Sequence, residues 1–147
     1  FTLHKSANKR IAEGFSTHTI ARGYQVVVIG DPGERGTWDQ PIDGKQATTH
    51  WTRLGIGGGY AALSVQLQTG RTHQIRRHTA GQGFPVAGDR RYGGAAGGLW
   101  PRLALHACTL ALTHPVTEEA LSLSAPVPED LASLWAQALP HPDSQAP

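Results

Sequence analysis

Runs and alternations of apolar residues divide the chain into short elements. Tyr24-Gln25-Val26-Val27-Val28-Ile29 is a β-branched run closed by Gly30-Asp31-Pro32-Gly33, which predicts a buried strand and a turn. Residues 31–44 read as loop. Thr48 to Leu54 predicts a second strand, stopped at Gly55, and Gly57-Gly58-Gly59 a hairpin into Tyr60 to Gln68. There Leu63, Val65 and Leu67 alternate with Ser64 and Gln66, so antiparallel pairing follows. Arg102 to Thr113 predicts a long strand with His106, Cys108, Leu110 and Leu112 on one face and Leu103, Leu105, Ala107 and Ala111 on the other. Two apolar faces make it central. Ala120 to Ser124 is its partner across the turn at Thr113-His114-Pro115.

Helical spacing appears in three places. Ser6 to Gly14 is a polar run around Ile11, ended by Gly14. Arg71 to Ala80 lacks strand alternation, and Gly81 sits where a helix C-terminus favours positive φ. Pro128-Glu129-Asp130 opens a third helix, with Leu131, Leu134, Trp135 and Leu139 as its apolar stripe. Glycines at 83, 88, 93, 94, 97 and 98 predict irregular loop, and residues from Pro140 onward a tail. The class that follows is α+β, a mostly antiparallel mixed sheet with flanking helices. Residues 1–139 form one domain and 140–147 the tail.

Composition removes several kinds of protein. At 147 residues one domain with a real core is expected. Cys108 is the sole cysteine, so there is no internal disulfide or thiolate cluster, and a reducing compartment fits best. The longest apolar stretches fall far short of the roughly 20 residues of a membrane span. The chain contains no methionine and begins Phe1-Thr2-Leu3, without the marks of a signal peptide. The expectation is a C-terminal piece of a longer protein.

Charged residues are scarce, at 16%, yet Gly70-Arg71-Thr72-His73-Gln74-Ile75-Arg76-Arg77-His78 holds three arginines and two histidines. Two readings stand for it: a solvated basic face, or an anion site for phosphates or a buried carboxylate. His73, His78, His106 and His114 do not form a metal-ligand spacing, and no metal is expected.

In this segment and around it the chain resembles the RluA-type RNA pseudouridine synthases. Leu67-Gln68-Thr69-Gly70-Arg71-Thr72-His73-Gln74-Ile75-Arg76 is followed by Gly83-Phe84-Pro85-Val86-Ala87-Gly88-Asp89 and Tyr92-Gly93. Then come Arg102-Leu103-Ala104-Leu105-His106-Ala107, His114-Pro115-Val116-Thr117 and Ala125-Pro126-Val127-Pro128. Upstream, Gly44-Lys45-Gln46-Ala47-Thr48-Thr49-His50-Trp51 and Tyr24-Gln25-Val26-Val27-Val28-Ile29-Gly30 are similar to the family's corresponding stretches. The similarity spans nearly the whole chain in the family's order and spacing.

The resemblance implies a cofactor-free isomerase that detaches uracil from C1′ of a uridine in ribosomal or transfer RNA and reattaches it through C5. It implies action in a bacterial-type cytoplasm, as a monomer. Tyr24 matches the tyrosine that stacks on the flipped base, and Arg76 the arginine that pairs with the nucleophilic aspartate. The family's His-Arg-Leu-Asp motif does not occur in this sequence, so the chain alone is expected to be inactive and Arg76 to lack a counter-ion. Arg71, Thr72, His73, Gln74, Arg77, His78, Lys45, Arg90 and Arg91 are the expected RNA contacts. Asp89 is read as fixing its loop, and His106 as a satisfied core histidine. The chain departs from the family at Arg22, where Lys is frequent, at Arg77, where an apolar residue is common, and at Ala95-Ala96-Gly97-Gly98. The rival reading is a non-catalytic RNA-binding module on the same fold; a purely structural α+β domain leaves the arginine cluster unexplained.

Overall fold

A computed structural model describes residues 4–97 and 100–139. The elements in chain order are α1 (Lys5–Ser16), β1 (Ala21–Ile29), β2 (Arg35–Trp38), β3 (Thr49–Gly57), β4 (Tyr60–Leu67), α2 (Gln74–Gly81), α3 (Gly94–Gly97), β5 (Leu105–Thr113), β6 (Ala120–Ser124) and α4 (Glu129–Ala138). The six strands form one sheet in the order β2-β3-β4-β1-β5-β6. Every pairing between them is antiparallel, so the mixed character expected from the sequence is absent among the described strands. The tail from Pro140 lies outside the described residues, as do Gly98 and Leu99.

The apolar run of β1 supplies the middle of the core. Val26, Val27 and Val28 are fully buried, opposite Leu63, Ala62 and Ala61 of β4. Burial on both faces of the pleat explains the unbroken β-branched run. Helix α4 packs on β3 and β4 through buried Leu131 and Trp135. The approach is close: a Cβ on Gly57 would meet the Gln137 carbonyl oxygen at 2.4 Å, so that strand end admits only glycine without a shift of backbone.

Four expectations are corrected. First, the 31–44 loop contains β2, an edge strand whose Trp38 stacks on Trp51 of β3 with ring centroids 5.1 Å apart; its four residues are too few to show a period. Second, Gly14 does not end α1, nor does Gly55 end β3. At Gly55 the pairing with β4 shifts register instead, which is how a glycine inside a strand is commonly used. Third, α2 starts at Gln74 rather than Arg71, because His73 adopts φ 53, outside the helical region. Fourth, β5 begins at Leu105 rather than Arg102, and although it has a neighbour on each side, Ala107, Thr109 and Ala111 are exposed. Among its described residues the glycine-rich stretch is otherwise loop, interrupted by the single turn α3.

Candidate active site

Three elements converge beside Tyr24. The first is β1 itself, where Tyr24 pairs with Val65 of β4 and Ala107 of β5 and packs half-buried against the core. The second is the 69–81 segment that ends in α2. The third is the loop 85–92, stitched to the end of β1 by bonds from the Ile29 N–H to the Pro85 carbonyl and from the Ala87 N–H to the Val27 carbonyl, both 2.9 Å.

Gln74 fixes the entry of α2. Its amide is buried and makes four hydrogen bonds. The oxygen accepts from the Thr69 hydroxyl at 2.8 Å and the Arg71 N–H at 3.0 Å. The nitrogen donates to the Thr48 carbonyl at 2.9 Å and the Thr49 hydroxyl at 3.0 Å. One donor and one acceptor here are backbone groups, so the amide has a single workable orientation. His78 is buried likewise, with Nδ1 at 2.9 Å from the Thr49 hydroxyl and Nε2 at 2.9 Å from the Gln40 carbonyl. A carbonyl only accepts, so Nε2 carries the proton and Nδ1 takes the hydroxyl hydrogen. These two residues were expected to contact RNA. They are inside instead, with their polar atoms in use, and hold α2 against the start of β3.

Arg76 is the centre of the arrangement. Its Nε donates to one Asp89 oxygen at 2.7 Å and its Nη2 to the other at 2.8 Å, a bidentate fork. The Asp89 side chain is fully buried and that of Arg76 18% exposed. The expectation that Arg76 has no counter-ion is therefore overturned, and Asp89 does more than shape its loop. Asp89 Oδ1 also accepts the N–H groups of Arg91 and Tyr92, each at 3.0 Å. Burial raises the pKa of its carboxyl, but the Arg76 guanidinium and the two N–H groups outweigh this and hold it below the ordinary 3.8. Gly88 lets the loop come this close: it has φ +78, and a Cβ there would collide with the Arg102 carbonyl oxygen.

Tyr92 caps the pair. The Arg76 guanidinium lies 5.0 Å from the centre of its ring, and its hydroxyl is 3.0 Å from His73 Nδ1. His73 occupies the left-handed region just before α2, a conformation costing on the order of 1 kcal/mol in a residue with a Cβ. It lines, with Tyr24, Arg71 and Arg76, a cavity of about 170 Å³. Tyr24 also lines a second cavity of about 420 Å³, with Arg22, Phe15 and residues of β5 and β6. The structure thus brings Tyr24 and Arg76 to one cavity.

The remaining expected contacts differ among themselves. Arg77 faces outward onto Asp43 in a bidentate pair at 2.9 Å. Arg71 reaches the Gln46 carbonyl at 2.9 Å, close in sequence to exposed Lys45. Thr72, Arg90 and Arg91 are exposed, and Arg91 lies 5.4 Å from the Tyr92 ring. Sequence reasoning missed Asp89 and Asp43 as arginine partners, since each comes from a distant loop. Its one available signal was an aspartate directly after a glycine and followed closely by basic and aromatic residues.

Comparison with known proteins relates the chain to one family. A family described as RNA pseudouridylate synthase matches residues 1–81. An uncharacterized RNA pseudouridine synthase of Chloroflexus aurantiacus is 38% identical over 143 residues, covering 87% of this chain and 45% of the relative. The ribosomal large subunit pseudouridine synthase D of Xanthomonas campestris pv. campestris is 38% identical over 155 residues, covering 87% and 47%. The chain spans about half the length of these curated relatives. Among solved structures, human RNA pseudouridylate synthase domain containing 1 superposes with a TM-score of 0.77 at 28% identity, over 95% of this chain and 67% of that one.

Proposed function

We propose that this chain, which belongs to the RNA pseudouridylate synthase family, works within an enzyme that isomerises uridine to pseudouridine in RNA. The observation that carries the proposal is the meeting of Tyr24 and Arg76, from β1 and α2, at one cavity. A base inside an RNA helix is out of reach, so the nucleotide must be flipped out, and the Tyr24 ring offers a face to stack on. In the reaction the N1–C1′ bond breaks and a C5–C1′ bond forms. The C5 proton leaves and N1 is protonated, with the Tyr24 phenol placed to assist. The aspartate that attacks or abstracts comes from the part of such an enzyme that this chain does not contain. Arg76 keeps that aspartate ionised and aimed: Asp89 engages Nε and Nη2, and Nη1 is left for a second carboxylate. Ribosomal RNA is the substrate class we favour, since one relative is named for the large ribosomal subunit, and the cytoplasm is the compartment where such RNA is met. The enzyme acts as a monomer. Exposed Lys45, Thr72, Arg90 and Arg91 and half-buried Arg71 and Arg77 are its RNA-facing groups.

Two measurements test the reading. The longer enzyme is expected to release tritium from RNA labelled at uridine C5, while this chain by itself releases none; no release from the longer enzyme leaves only the RNA-binding module. The chain alone is expected to bind single-stranded RNA with a log–log salt slope of about −2 to −3.5, from three to five phosphate contacts at roughly −0.7 each. A slope near zero in fluorescence anisotropy would remove the electrostatic argument.

A further inference from the structure

We infer that Arg22 forms a phosphodiester-binding notch beside Tyr24, resting on the proposal above that RNA is the substrate. Arg71, Arg76 and Arg77 each end on a protein oxygen. Arg22 is different: it is half-buried, makes no hydrogen bond or ion pair among the described residues, and its Nε is buried without a partner. A buried donor left unsatisfied is costly, so such groups usually mark a place where something else binds.

The surroundings hold the guanidinium in place without neutralising it. Its carbon lies 5.2 Å from the centre of the Phe15 ring. On another side is Gly70, where a Cβ would stand 2.6 Å from Nη1. Gly70 is not in a positive-φ conformation, and its lack of a side chain leaves room for the end of the Arg22 side chain where it stands. Arg22 and Tyr24 are two apart on β1, where the pairing with β4 is regular and that with β5 shifts register between Gly23 and Tyr24, so they stand roughly 7 Å apart along the strand. Both line the cavity of about 420 Å³.

The chemistry that fits a fixed, unpaired fork at that distance from a stacking ring is the phosphodiester of the nucleotide stacked there. A guanidinium donates two parallel N–H bonds to phosphate oxygens, and neutralising one phosphate releases its counterion. The flipped nucleotide would then be held at two points, the base on Tyr24 and the phosphate on Arg22.

The test uses this chain and fluorescent oligouridine. Arg22→Gln is expected to bind about tenfold more weakly, as befits loss of a charge-assisted contact, with a salt slope shallower by about 0.7. Arg35→Gln, on the edge strand β2, should leave both unchanged. Gly70→Ala keeps every charge but crowds the guanidinium, and a smaller loss in the same direction is expected. Oligouridines with one neutral methylphosphonate at successive linkages should show a position that weakens the wild type and leaves Arg22→Gln unaffected, the mark of direct coupling. Near-ultraviolet circular dichroism confirms that the variants are folded. Wild-type affinity and slope in folded Arg22→Gln overturns the notch alone, whereas absence of salt-dependent binding by the wild type overturns the RNA reading with it.

Discussion

In an enzyme of the proposed kind, with an aspartate completing the site, replacing Arg76 by alanine is expected to slow the single-turnover rate by about 30- to 1,000-fold, while Arg77→Ala changes that rate little. The two arginines adjoin and carry the same charge, so bulk electrostatics cannot separate them. Geometry does. Arg76 lies in the cavity with Tyr24 and against a fully buried carboxylate. Arg77 lies about 100° further round α2 and meets Asp43, whose side chain is 70% exposed. Losing a preorganised charge partner at a reacting centre costs about 2–4 kcal/mol of barrier, whereas a lost phosphate contact appears as weaker, salt-dependent binding. Arg76→Lys should rescue only in part, because an ammonium cannot serve Asp89 and a second carboxylate with one planar fork. Measuring at saturating enzyme separates chemistry from binding. Equal losses in the two alanine variants would place the wrong arginine at the centre.

Asp89→Asn is expected to destabilise the chain by about 2–3 kcal/mol at neutral pH. Breaking a buried pair typically costs about 3–5 kcal/mol. The figure is lower here because Arg76 keeps some contact with water and an amide oxygen still accepts the Arg91 and Tyr92 N–H groups. The pH dependence carries the signature. The carboxyl pKa is lower folded than unfolded, so the unfolded chain takes up the proton first as pH falls. The stabilisation is complete above the unfolded value near 3.8 and is lost as pH falls from there through the folded value. Urea denaturation at pH 7 and pH 3 should therefore show the gap between wild type and variant narrowing in acid. Both keep an acid limb, because Asp31, Asp43 and Asp130 are also held low by arginines. A gap of the same size at both pH values would mean that Asp89 matters for shape rather than charge.

Much of the fold was legible because its period was long enough to read. The β1 run and the β3–β4 hairpin, the latter with alternation and a glycine turn, appear close to their expected bounds, as does the Leu131–Trp135 stripe of α4. Strand β2 was not legible: what makes Arg35-Gly36-Thr37-Trp38 a strand is its pairing with Trp51 and its neighbours, a tertiary fact. The exposed face of β5 was misread for a related reason, since small residues such as Ala107 and Ala111 suit either side of a sheet. At the site, the resemblance to a known family named Tyr24 and Arg76, but side-chain direction decided the rest. Gln74 and His78 sit in the same basic segment as Arg71 and Arg77 yet turn inward, while Asp89 arrives from a loop whose course depends on Gly88.

The four bonds of the Gln74 amide also set how this region opens. They tie the Thr48–Thr49 backbone and side chains to Thr69, Arg71 and the first residue of α2, and the Thr48 N–H is itself bound to the Thr69 hydroxyl. Peeling back the start of α2 therefore releases the start of β3 in the same event, because one side chain terminates both. In native-state exchange such amides open as a single cooperative unit rather than fraying one by one. Arg76, two residues beyond Gln74, keeps its aim only while the unit is closed, so the site's readiness is tied to the breathing of a buried glutamine whose own polar atoms are all in use within the protein.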